Sequence, residues 1–167
     1  MRLPFPSIFL LPILLLAQSS NAAEPQPVSF ARDVMAVVSK SGCNLGTCHG
    51  NKFGKGGFKL SLRGDRPWED FKTLTRTLRG RRVNPLDPEA SLLLLKPTMQ
   101  VPHQGGRRFQ ETDPEYQIFR NWIAAGLPDD PDNLPSLVSL NVAPAEVILR
   151  EPEDAFQIRV EAEFADG

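Results

Sequence analysis

Apolar side chains recur at helical spacing in three stretches after residue 28 and alternate at strand spacing near the end of the chain. Ser29 reads as the N-cap of a helix over 30–39, with Phe30, Val34, Val37 and Val38 on one face and Gly42 as its stop. A second, weakly amphipathic helix is predicted over 67–78 from Trp68, Phe71, Leu74 and Leu78. Asp87-Pro88-Glu89-Ala90 opens a short helix running through 91–95, stopped by Pro97. Its four consecutive leucines cannot share one face, so at least two of its sides should be buried. The last helix is the best specified: Asp113 as cap, Pro114 at the first position, Tyr116, Phe119, Trp122 and Ile123 as the apolar face, and Gly126 as the end.

Between these elements lie polar and glycine-rich stretches. Residues 50–64 read as an exposed loop, and no Gly-Lys-Ser/Thr follows in it to make a phosphate loop. The basic turn Arg79-Gly80-Arg81-Arg82 reads as solvated, with at best a partner-docking role. Asp129–Pro135 reads as a linker. Beyond it residues 137–142 alternate weakly and residues 156–164 alternate strictly, the pattern of a strand with one buried face. Two strands rarely stand alone in water, so this part is expected to belong to an incomplete domain.

The first 22 residues carry a different pattern: Arg2, an apolar run interrupted by prolines up to Ala17, and small residues ending at Ala22 or Ala23. This is the pattern of a cleaved export signal, too short in its uninterrupted part for a spanning helix. Its removal takes away only Arg2 of the 19 basic side chains, leaving 18 against 20 acidic ones. Such a balance argues against general nucleic-acid binding, and an exported chain places its two cysteines in an oxidising compartment. Sixteen prolines in 167 residues, about twice average usage, favour short helices joined by long loops.

The chemistry concentrates in Cys43-Asn44-Leu45-Gly46-Thr47-Cys48-His49. Two thioethers can fix the edges of a porphyrin while the adjacent imidazole reaches its iron, and Cys-x-x-Cys-His is the usual signature of that attachment. Here four residues separate the cysteines, and Gly46 is expected to supply the backbone freedom for the longer loop. A Cys43–Cys48 disulfide, a zinc site and a redox cysteine pair are the competing readings. The disulfide leaves His49 unexplained, and for a zinc site, which wants four ligands, the only other imidazole is His103. The second face of an iron could be filled from the loop at 96–106, by Met99 or by His103.

The order of these pieces resembles class I cytochrome c domains. More closely, Phe30–Met35, Cys43–Asn51, Gly56–Gly64, Arg82–Pro85, Ser91–Lys96 and Val101-Pro102-His103-Gln104-Gly105-Gly106 resemble the cytochrome-c-like domain that opens large exported proteins of planctomycete bacteria. The resemblance implies a mainly α fold, a small class I cytochrome c-like helical domain with long loops, over residues 29–131. A linker at 132–136 and an incomplete all-β segment similar to a bacterial Ig-like domain at 137–167 would follow. It also implies one covalently attached haem c, held by Cys43 and Cys48, with His49 as proximal ligand. In that family the loop is Val/Ile-Pro-His-x-Gly-Gly, which favours His103 as distal ligand and leaves Met99 as the alternative. Tyr116, Phe119 and Trp122 are expected to wall the macrocycle off from water. The function expected is single-electron transfer, not an enzyme activity, at the periplasm or cell surface. Its partners would be a redox protein or fused domains, with no nucleic acid and no membrane span after signal cleavage. The alternative is a haem-free surface adhesion or assembly module with a Cys43–Cys48 disulfide.

Overall fold

Local capping starts the first helix where the sequence places it. The computed structural model describes residues 27–152 and 155–166, so the expected export signal lies outside it. Ser29 is extended, its Oγ accepts from the Arg32 amide at 3.1 Å, and its own amide donates to the Asp33 carboxylate at 2.8 Å. This reciprocal cap opens a π-type turn, Phe30–Val34, which leads into α1, Met35–Lys40. Gly42 ends it at φ +72°, and the Cys43 amide donates back to the Val38 carbonyl.

A second cap on the same turn comes from far along the chain. The amides of Phe30 and Ala31 donate to the two carboxylate oxygens of Asp130, at 3.0 and 2.6 Å. Asp130, which the composition alone assigns to a linker at 129–135, is thus tied to the helical body, as the expected span 29–131 has it. Asp130→Ala leaves two first-turn donors without their acceptor, and the expected loss is about 1–2 kcal/mol, read as a lowered thermal midpoint.

The second helix, α2 (Pro67–Thr75), is shorter than the spacing predicts. Leu78 and Arg79 adopt left-handed φ values of 54° and 59°, which turns the chain away from the helix axis. Trp68 does not join the apolar face. It is 59% exposed, with the Lys72 ammonium over its ring. The leucine segment also differs from one continuous helix. A 3-10 turn at Pro88–Ala90 is separated from α3, Leu92–Leu95, by Ser91 in an extended conformation, whose Oγ accepts from the Asn84 amide.

The last helix, α4 (Pro114–Ala124), matches its expected face, with Tyr116, Phe119, Trp122 and Ile123 all buried. Asp113 holds the cap position but makes no side-chain cap. Its carboxylate turns back to accept from the Gln110 amide instead, at 2.7 Å. The core is built where α4 crosses the first turn: Phe30 stands edge-on to Phe71 at 5.1 Å and tilted against Trp122 at 5.3 Å. Val34, Val38, Leu74 and Leu94 complete it.

Strands β1 (Leu137–Ala143) and β2 (Arg159–Phe164) form an antiparallel pair in the register Leu140↔Ala162 and Val142↔Val160. The expected buried face is absent. Leu140 and Val160 are each 58% exposed, because no element among the described residues packs on either side of the ribbon. Arg32 ties the ribbon to the helical body: its guanidinium donates to the Pro135 carbonyl and sits 4.0 Å from the Phe164 ring centre. No helix among the described residues is long and apolar enough to cross a membrane.

Candidate functional site

The segment after α1 is wound tightly by its own backbone. The Cys48 and Gly50 amides both donate to the Leu45 carbonyl, and the His49 amide donates to the Cys43 carbonyl. These turns absorb the two residues by which the Cys43–Cys48 spacing exceeds the usual motif. Gly46, expected to provide the slack, has no left-handed φ and open space around it. The constrained glycine is Gly50, where a Cβ would stand 2.0 Å from the Asn44 carbonyl oxygen. Neither cysteine is in a disulfide.

Cys43, Cys48, His49, Met99 and His103 line one cavity of about 780 Å³. That volume falls within the roughly 300–1,000 Å³ typical of cofactor sites. Val38, Phe58, Leu60, Leu74, Leu92 and Leu93 supply its apolar wall. Tyr116, Phe119 and Trp122, expected to form that wall, lie behind it in the core. The leucine segment does serve two sides: Leu94 points into the core while Leu92 and Leu93 line the cavity.

The two imidazoles are each held by one nitrogen. His49 Nδ1 lies 2.9 Å from the Phe58 carbonyl and 3.1 Å from that of Lys55; His103 Nδ1 lies 2.9 Å from the Gly106 carbonyl. Carbonyls only accept, so both Nδ1 atoms carry the proton and both Nε2 atoms present a lone pair. Burial lowers the His49 pKa, against the raising effect of its carbonyl partners, which favours the neutral ring. The ring centres stand 6.5 Å apart and the planes are within 13° of parallel.

Gly105 keeps the second ring in place. A Cβ there would stand 2.7 Å from His103 Cε1 and 3.0 Å from Nε2, so a side chain would displace the imidazole. Met99, the alternative ligand, is 42% exposed at the same cavity. The Cys43 thiol is pushed up to about 11, chiefly by burial, with Arg108 pulling the other way. Arg108 also reaches Cys48, its Nη2 lying 3.6 Å from the sulfur.

Among the described residues no group of three or more His, Cys, Asp or Glu side chains is placed to hold a metal ion. Two imidazoles alone are a sufficient donor set only for a metal that would bring further ligands of its own. That chemistry, with two free thiols at the same cavity, fits an iron porphyrin and does not fit a four-ligand zinc site.

The residues that hold His49 in place come from the stretch read as an exposed loop. Phe58 lines the cavity, Leu60 and Ser61 are buried, and the Leu60 amide donates to the His49 carbonyl. Asp70 of α2 fastens this wall, accepting from the Ser61 amide at 2.6 Å and its hydroxyl at 2.5 Å. Asp70→Ala strands both donors and is expected to destabilise the fold by about 2–3 kcal/mol, measured by denaturant unfolding. Arg82, read as solvated, is 8% exposed and lines the cavity. Its Nη1 donates to the Thr73 and Thr77 carbonyls at the end of α2, which draws the guanidinium inward. No sequence pattern marks a backbone carbonyl as an acceptor, so these contacts had no signal; the paired glycines after His103 were the one visible hint. No protein-family profile, curated protein or solved structure matches the chain.

Proposed function

We propose that this chain is an exported c-type cytochrome domain that binds one haem covalently and passes single electrons to a partner protein or to fused domains. The observation that carries the reading is the pair of near-parallel imidazoles 6.5 Å apart, each tethered at Nδ1, across a cavity that also holds two free thiols. Cys43 and Cys48 would anchor the group by thioethers, His49 would be its proximal ligand and His103 its distal one. The bound iron would supply reversible Fe(III)/Fe(II) exchange.

The chain's own residues account for the rest. The Phe58 and Gly106 carbonyls fix the tautomer and aim of each ligand ring, which also raises its basicity. Val38, Leu60, Leu74 and Leu93 keep water from the cavity wall. Two imidazole ligands favour a lower reduction potential than a Met/His pair.

Expression with a periplasmic haem-maturation system tests the attachment. Intact mass should show one added haem, and the band should keep its haem stain after denaturing electrophoresis. The double variant Cys43→Ser/Cys48→Ser should lose the stain. A wild-type mass lower by two hydrogens and without haem would instead indicate the disulfide of an adhesion module.

A further inference from the structure

The charged lining of the cavity is of one sign. Lys55, Arg81, Arg82, Lys96 and Arg108 line it, and among the described residues no aspartate or glutamate does. Composition does not explain this, since the whole chain carries a net charge of −1. Several cations elsewhere meet acids: Lys40 with Glu115 at 2.5 Å, Arg120 with Glu89 at 2.6 Å and Arg66 with Glu69 at 3.1 Å. None of the five cavity cations has such a partner among the described residues.

Arg82 is the most confined of the five. Its two polar contacts are both made by Nη1, and its Cζ lies 4.3 Å from the centre of the Phe58 ring. A guanidinium has five N–H donors in a fixed fork, so Nε and Nη2 are left with no acceptor among the described residues. A buried cation without a counter-charge is costly, and an oxyanion against the open side of the fork supplies two charge-assisted hydrogen bonds. Burial, and then the neighbouring Arg81, lower the Arg82 pKa.

We propose that Arg82 is the binding residue for a carboxylate on the cavity's occupant, which is therefore a flat apolar molecule with an acidic edge. This rests on the haem reading and deepens it: haem carries two carboxylates on the edge away from its vinyl groups. Phe58 then does two things at once. Its ring seats the cation, and its carbonyl holds the His49 imidazole.

The test uses the full chain before haem attachment, titrated with ferric protoporphyrin IX and with its dimethyl ester, read by absorbance. The wild type should bind the diacid about tenfold or more tightly than the diester. In Arg82→Met the diacid-to-diester ratio should fall to near one, and in Arg82→Lys it should lie between, with far-ultraviolet circular dichroism checking the fold of each variant. Equal affinities in the wild type overturn the proposal without help from any variant and leave the haem reading standing. An undiminished preference in folded Arg82→Met also overturns it. A wild type that binds neither porphyrin overturns the haem reading and the proposal together.

Discussion

Haem-loaded protein carrying His103→Ala is expected to lose most of its low-spin absorbance, whereas Met99→Ala keeps it. The His103 ring is held at Nδ1 by the Gly106 carbonyl, with its centre 6.5 Å from that of His49. Without this imidazole as a donor, a bound haem would have a weaker ligand field, and the spectrum should shift toward high spin. Met99 is 42% exposed at a left-handed φ of 64°, a poor posture for displacing a tethered imidazole. Gly105→Ala should give a graded version, a mixture of spin states, because its methyl group pushes on the His103 ring. Loss of low-spin character in Met99→Ala alone would show the distal assignment to be wrong.

The largest loss of stability is expected at Trp122→Ala. This side chain is fully buried, packs on Phe30 and Phe71, and donates from Nε1 to the Pro128 carbonyl at 2.9 Å. Truncation removes the ring from the crossing point of α4 and the first turn, at a cost of about 3–5 kcal/mol. A domain of this size has only about 5–15 kcal/mol in all, so the thermal midpoint should fall by roughly 15–25 °C. Trp122→Phe keeps most of the apolar area but strands the Pro128 carbonyl, and should fall by a smaller amount. A shift of only a few degrees in the alanine variant would mean that the core is not organised around this residue.

Both residues were visible in the sequence, and for the same reason. Trp122 lies on a face with period near 3.6, bounded by Pro114 and Gly126, and His103 sits in a motif of neighbouring residues. Ser29 and Gly42 were legible as helix ends on equally local grounds. What the sequence did not reveal depends on residues far apart. Arg82 belongs to a run of basic residues that reads as solvated, and only the end of α2 and the Phe58 ring draw it inward. Trp68 fits the helical period but is exposed, its ring covered among the described residues only by the Lys72 side chain of the same helix. The alternation of β2 was read correctly as a strand, while its burial required a covering layer that no pattern within the strand can report.

The carboxylate of Asp130 also bears on the order in which the chain can complete itself. It takes the first amides of a helix one hundred residues earlier, those of Phe30 and Ala31. A chain synthesised from its amino end presents those amides long before their acceptor arrives. The opening turn must therefore stay hydrated until residue 130 has emerged, and a chain stopped short of it would carry both cysteines and both histidines on a body whose first turn is unfinished.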